Sequence, residues 1–249
     1  EEGYTRLVTG GGGTPNAGLR VPINDGDLRT DIYLTTWSDD PDYSGGVTLA
    51  DGTAPYAGWI ILTPDLSAAA LRFRAVHEFM HVIQRAYQPS LPAAVGGMWT
   101  EATANWAVEW SLPDVDPGDS NFYDDPNLPA PWLPLDCSYG TWPTSGGRPC
   151  GNGYWQWLFM ERQVEDYGVD FISGLLERVK ACVTSCADTS TNTAMLNAEI
   201  IAQSGGGATL ATRFARYAWQ VWDPSAWTTT AVAWMHAHIG RPPASTWDR

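Results

Sequence analysis

The chain has 249 residues, 44% of them apolar, enough for one large domain or two small ones closely packed. It carries 14 Lys and Arg against 28 Asp and Glu, a net charge of −14; such a surface repels phosphate backbones and excludes nucleic acid as a partner. No apolar run reaches the ~18–20 residues of a membrane span. No signal peptide is visible, and Glu1-Glu2-Gly3 reads as a processed or trimmed N-terminus.

Residues Glu1 to Arg20 are polar and glycine-rich, with Gly10-Gly11-Gly12-Gly13 as a flexible break. That run lacks the Lys-Ser/Thr that a phosphate-binding loop needs after its glycines and reads as a plain loop. Asp31 to Trp37 is rich in β-branched and aromatic residues and predicts a strand. Val47-Thr48-Leu49 is a short strand candidate. Gly58 to Thr63 is the strongest strand, and its unbroken apolar centre predicts an interior place in a sheet.

The period then changes. Asp65 or Ser67 can cap a helix through Leu71, Phe73, Val76, Phe79, Met80, Ile83 and Tyr87, stopped by Pro89. A second helix is predicted from near Thr100 to before Pro113. Asp114 to Arg148 is irregular and dense in Pro, Gly and Asp. Its aspartates offer oxygen ligands for calcium, but their spacing does not match an EF-hand, and a solvated acidic loop is the preferred reading. Further helices are predicted at Tyr154 to Tyr167, Phe171 to Ala181, Ala194 to Gln203 and Thr209 to Trp222, while Trp227 to Ile239 is ambiguous. The four Cys form two local pairs, Cys137/Cys150 and Cys182/Cys186. Three connectivities are open; local pairing is the simplest, since each pair brackets a short Gly-, Pro-, Ser- or Thr-rich loop. With abundant Trp and little Lys, disulfides point to an oxidising, secreted setting; four buried thiols are the alternative.

The predicted helix around Val76 contains His77-Glu78-Phe79-Met80-His81. Residues four apart project from one helical face, so both imidazoles can reach one zinc ion. Glu78 lies beside them, placed to act on a water as general base. Two histidines do not complete a catalytic site, which needs three protein ligands and an open position. Glu101, at the start of the next helix, is the expected third ligand. Asn105, one turn further on, can accept a ligating histidine's free ring N–H and fix its tautomer. The plain alternative is a helix with two partly buried histidines and an incidental Glu. The many Trp, including Trp99, Trp106, Trp132, Trp142, Trp155 and Trp157, are first of all core residues, although some could line a cleft.

His77-Glu78-x-x-His81 followed after 19 residues by Glu101 resembles the gluzincin arrangement of thermolysin-like peptidases. At Asn105, thermolysin itself has an aspartate, so this chain would orient the histidine with a neutral acceptor. A closer resemblance is to a family of bacterial proteins assigned as secreted metallopeptidases of the MA clan. It rests on His77 to Gln84, on Trp99-Thr100-Glu101-Ala102-Thr103-Ala104-Asn105-Trp106, and on Gly153-Tyr154-Trp155-x-Trp157-Leu158-Phe159 leading to Tyr167-Gly168. The match spans about Trp59 to Leu176.

The resemblance implies an α+β, zincin-like fold: a small twisted mixed sheet and active-site helix in residues 1–88, a mainly helical part in residues 89–249, and a cleft between them within one compact catalytic unit. It implies one catalytic zinc on His77, His81 and Glu101, and Glu78 taking a proton from water for attack on a scissile carbonyl. Thermolysin-like enzymes stabilise the oxyanion with a His and a Tyr; Tyr154, Tyr139, His236 and His238 are candidates here, with Tyr154 the expected catalytic one although a core or groove role competes. Such enzymes also pair substrate with an edge strand, a part that Val47 to Leu49 could play. The resulting expectation is a secreted, monomeric zinc endopeptidase acting on protein or peptide. Two rivals stay open: a zinc aminopeptidase or an amidase on cell-wall peptides, and a non-catalytic metal-containing binding protein.

Overall fold

The computed structural model describes residues 2–9, 17–23, 30–35, 46–50, 57–87, 97–112, 115, 156–181 and 189–222. Among them the protein is mixed α+β, with one three-stranded sheet and mostly helix. The strands are β1 (Ile32–Leu34), β2 (Gly46–Ala50) and β3 (Gly58–Leu62). Their order is β1-β3-β2, so the apolar run of β3 takes the central place its sequence predicts. β1 runs parallel to β3, with Ile32 opposite Ile60. β2 runs antiparallel, with Val47 opposite Ile61 and Leu49 opposite Trp59. The sheet is therefore mixed.

From β3 the chain turns at Pro64 into α1 (Ala68–Arg85). Of the two candidate caps, Ser67 is the one used: its Oγ accepts a hydrogen bond from the Ala70 N–H, a contact that contributes about 1 kcal/mol. The helix buries two faces. Phe73, Val76, Met80 and Ile83 enter the main core, while Val82 packs with Ile60 and Leu62 of β3, flanked by Leu71, Ala75 and Phe79. With ~100° per residue, these are neighbouring stripes of one cylinder. A helix held from two sides offers a rigid platform for the side chains between the stripes.

The remaining helices are α2 (Gly97–Ser111), α3 (Trp157–Tyr167), α4 (Asp170–Ala181), α5 (Thr189–Gln203) and α6 (Leu210–Trp222). Gly168 ends α3 at φ 85°, a conformation that suits glycine, and its N–H is donated back to the Val164 carbonyl. Trp106 and Trp157 are fully buried, as the core reading of tryptophan expects. The main core draws on Leu7, Phe73, Met80, Trp106, Phe159, Phe171, Ile200 and Tyr217, and so on residues from both sides of position 88. Charged groups tie the far helices together: Arg162 and Arg213 both pair with Asp166, joining α3 to α6.

The polar, glycine-rich N-terminal stretch holds structure for which the sequence gives no element: a helical turn (Glu2–Tyr4) and a π-helical turn (Thr5–Thr9), with Leu7 and Val8 buried in the main core. The Ala17 and Leu19 N–H groups are donated to the Arg6 and Leu7 carbonyls, and both side chains are buried. Four apolar residues split by glycines show no helical or strand period, and only long-range packing gives them a place. Two helices also start several residues before their predicted positions: α2 at Gly97 and α5 at Thr189, the latter a Thr/Ser/Asn-rich start of low intrinsic helix propensity. The Gly10 to Gly13 run, the four cysteines, the acidic segment Asp114 to Arg148 apart from Val115, and the ambiguous tail Trp227 to Ile239 lie outside the described residues.

Candidate metal centre

α1 and α2 meet along the face that carries His77 and His81 on one side and Glu101 and Asn105 on the other. His77 Nε2 and His81 Nε2 face each other at 3.1 Å. Glu101 Oε2 lies 3.1 Å from the first and 3.5 Å from the second. His77 and Asn105 are buried, and the Glu101 and His81 side chains are partly covered. His77, His81 and Glu101 form a group that could hold a metal ion, with their ligand atoms all within 4.8 Å of one another.

The surrounding hydrogen bonds decide where the ring protons sit. His77 Nδ1–H donates to Asn105 Oδ1 at 2.7 Å. A carboxamide oxygen only accepts, so in the neutral ring the proton is on Nδ1 and Nε2 keeps a lone pair. His81 is fixed in the same way: its Nδ1–H donates to Gln84 Oε1 at 2.9 Å. Gln84 cannot turn its amide round without loss, because its Nε2 already donates to the Thr100 carbonyl at 2.9 Å and to Thr103 Oγ1 at 2.8 Å. Two imidazole lone pairs and a carboxylate oxygen thus converge. Glu101 Oε2 is buried without a hydrogen-bond partner among the described residues. Three electron-rich atoms in van der Waals contact repel unless a cation sits among them.

Without a metal, that cation is a proton on His81. Burial opposes the ring charge, but the Glu101 carboxylate outweighs it, with help from Glu78 and Gln84, and raises the ring from 6.5 to about 9. Burial likewise would raise Glu101; the charge on His81 wins and holds the carboxyl well below the usual carboxylate range. The signs fix a pH window for the metal-free protein. The His81 contribution is full below 6.5 and is lost as pH rises through about 9. The Glu101 contribution is present above 4.5 and is lost as pH falls towards its lowered folded value. Both act between 4.5 and 6.5.

Glu78 points elsewhere. One residue on from His77, it is turned ~100° round the helix, towards the sheet. It is buried, and its Oε2 accepts a hydrogen bond from Thr48 Oγ1 on β2 at 2.8 Å. The pair His77 and His81, the ligand candidate Glu101 and the tautomer partner Asn105 are therefore brought together as the sequence predicts, with Glu78 beside them and not among them. Tyr154, Tyr139, His236 and His238 lie outside the described residues.

Three site residues escape sequence reasoning. Gln84 carries a detectable signal, standing three positions after His81 on the same helical face. Thr103 and Thr48 carry none, since their contacts depend on how α2 and β2 lie against α1. Gln84→Leu keeps the volume but removes the acceptor for His81 and the donor for Thr100 and Thr103. It is expected to weaken metal binding about 10–100-fold and to cost about 1–3 kcal/mol of stability. Competition with a chromogenic chelator and thermal unfolding would read the two effects; unchanged metal affinity would show that Gln84 does not set the His81 ring.

Comparison of the chain with protein-family models, with curated proteins and with solved structures finds no match.

Proposed function

We propose that this protein is a secreted zinc-dependent endopeptidase of the gluzincin type, with a zincin-like arrangement of sheet and active-site helix and a substrate cleft beside it. The observation that carries the reading is the convergence of His77 Nε2, His81 Nε2 and Glu101 Oε2. Ligands at ~2.0–2.1 Å from a tetrahedral centre stand roughly 3.3–3.4 Å from one another. The observed spacings of 3.1, 3.1 and 3.5 Å are within a few tenths of that. Two neutral imidazoles with one carboxylate suit zinc, whereas magnesium and calcium select oxygen sets. His77, His81 and Glu101 would hold the ion, with Asn105 and Gln84 orienting the rings.

A bound zinc ion would supply a water acidified towards neutral pH and a Lewis acid for the scissile carbonyl. The chain's own part is proton handling and alignment. Glu78 is adjacent to the ligand pair without joining it, which suits a base that takes a proton from the attacking water and passes it to the leaving amine. A purely metal-storing or structural site has no use for such a carboxylate, so the presence of Glu78 between the two histidines in the sequence supports hydrolysis over a non-catalytic binding role. Tyr154 is the proposed oxyanion donor.

β2 supports a peptide substrate. Ile60 and Leu62 turn their backbone groups to the β1 side, the Ile60 N–H reaching Asp31 O and Leu62 O receiving the Thr35 N–H. In an antiparallel pair, Val47 and Leu49 then face β3, and Gly46 and Thr48 direct their backbone groups to the outer edge. Among the described residues no strand pairs with that edge. An extended peptide can add there by main-chain hydrogen bonds, which are blind to sequence. The scarcity of Lys and the two local pairs that the four cysteines form along the sequence support an extracellular setting.

Treatment with a zinc chelator is expected to abolish cleavage of unfolded casein and of internally quenched peptides blocked at both ends, and added zinc to restore it. Cleavage confined to free N-termini would favour the aminopeptidase reading. Zinc binding with no hydrolysis of either substrate would overturn the assignment.

A further inference from the structure

The proposed base has a partner that the active-site helix does not supply. Thr48 Oγ1 lies 2.8 Å from Glu78 Oε2 and 2.8 Å from the Glu78 backbone carbonyl. Gly46, two residues before it on β2, presents the same face of the sheet to α1. A Cβ added at Gly46 would stand 3.0 Å from Glu78 Cγ, 3.3 Å from Glu78 Oε1 and 2.9 Å from Leu62 Cδ2. The edge strand therefore touches Glu78 along its length: bare backbone against the stem at Gly46, and a hydroxyl on the carboxylate at Thr48. We infer that Thr48 is a positioning residue that aims the Glu78 carboxylate, and that β2 needs a glycine at position 46 to leave that carboxylate its place. The inference rests on Glu78 being the base of the reaction proposed above.

The argument is one of geometry. A Glu side chain has three rotatable bonds, and a base must lie within hydrogen-bond reach of the proton it takes. Glu78 is one of the few charged side chains of the described residues that is 5% exposed, so water cannot hold it in place. The Thr48 hydroxyl has one proton and two acceptors at equal distance. It can hold the carboxylate and, when the carboxylate shifts towards substrate, turn to the helix carbonyl without being left bare. Thr48 also has its carbonyl fixed, by Arg85 Nη2 at 3.3 Å. Its backbone belongs to the outer edge of the sheet. One residue thereby links the edge where a peptide would pair to the direction of the base.

Thr48→Val keeps the shape and removes the hydroxyl, and Thr48→Ser keeps the hydroxyl. On the zinc-loaded enzyme and a blocked peptide, the valine variant is expected to lose roughly 10–100-fold in kcat with KM within about twofold of wild type. The serine variant is expected to return to within about threefold of wild-type kcat. Zinc content and thermal midpoint should match wild type in both. Gly46→Ala, which pushes on the same carboxylate from the other side, should also lower kcat more than it raises KM.

A double-mutant cycle separates this inference from the reading beneath it. In a Glu78→Gln background, Thr48→Val should cost nothing further. If Glu78→Gln kills activity but Thr48→Val leaves kcat at wild type, or if serine fails to rescue, Thr48 does not position the base and only this inference falls. If Glu78→Gln is itself as active as wild type, both fall together.

Discussion

Glu101→Gln is expected to weaken metal binding by more than the roughly 10–100-fold that removing an outer hydrogen-bond partner costs, with the largest loss at alkaline pH. The substitution keeps the size of the side chain and removes its charge, so the site loses its one anionic ligand while both imidazoles stay in place. The pH dependence makes the prediction specific. In wild type a proton on His81 competes with the metal, and affinity should climb about tenfold per pH unit up to about 9, where that ring loses its proton. In the variant the carboxylate that raises the ring is gone, so His81 falls back towards or below its ordinary 6.5 and the climb ends earlier. The loss of affinity should therefore be largest near pH 9 and shrink towards neutrality. Chelator competition at a series of pH values reads this directly. A loss that is the same at every pH would mean that Glu101 does not govern the His81 proton, and no loss would remove Glu101 from the ligand set.

Much of this centre is legible in the sequence because it is local. The facing of His77 and His81 follows from helix period alone, and Glu101 and Asn105 follow from one further turn of the next helix. β3 is legible as an interior strand because five apolar-rich residues need no partner to be recognised. Other parts depend on what packs where. Thr48 reaches Glu78 only because β2 is antiparallel to β3 at the edge beside α1, a register no short pattern encodes. The N-terminal residues Leu7 and Leu19 look like stray apolars in a glycine-rich loop until the chain folds back: Arg20 then pairs with Glu177 on α4, and its N–H reaches Tyr87 Oη beyond the end of α1. Sequence reasoning also placed Glu78 towards a water on the metal side, while the structure turns its carboxylate to the sheet edge. Its charge still reaches His81, whose ring it helps to hold protonated.

The second large effect concerns Glu78 itself. Glu78→Gln preserves volume and can still accept the Thr48 hydroxyl through its amide oxygen, so the fold, the sheet edge and the three ligand atoms should be undisturbed. What disappears is the ability to take a proton. General-base catalysis contributes about 10²–10⁴-fold, and a loss in that range is expected in kcat, with KM little changed because the residue is not proposed to bind substrate. No other described carboxylate is placed to take over: Glu101 is committed to the ligand set.

The most direct test is zinc content and cleavage of a blocked peptide, measured side by side on wild type and Glu78→Gln. The account predicts one zinc per chain in both proteins and activity in wild type alone. A wild type that binds no zinc, or a variant that cleaves as fast as wild type, would contradict it.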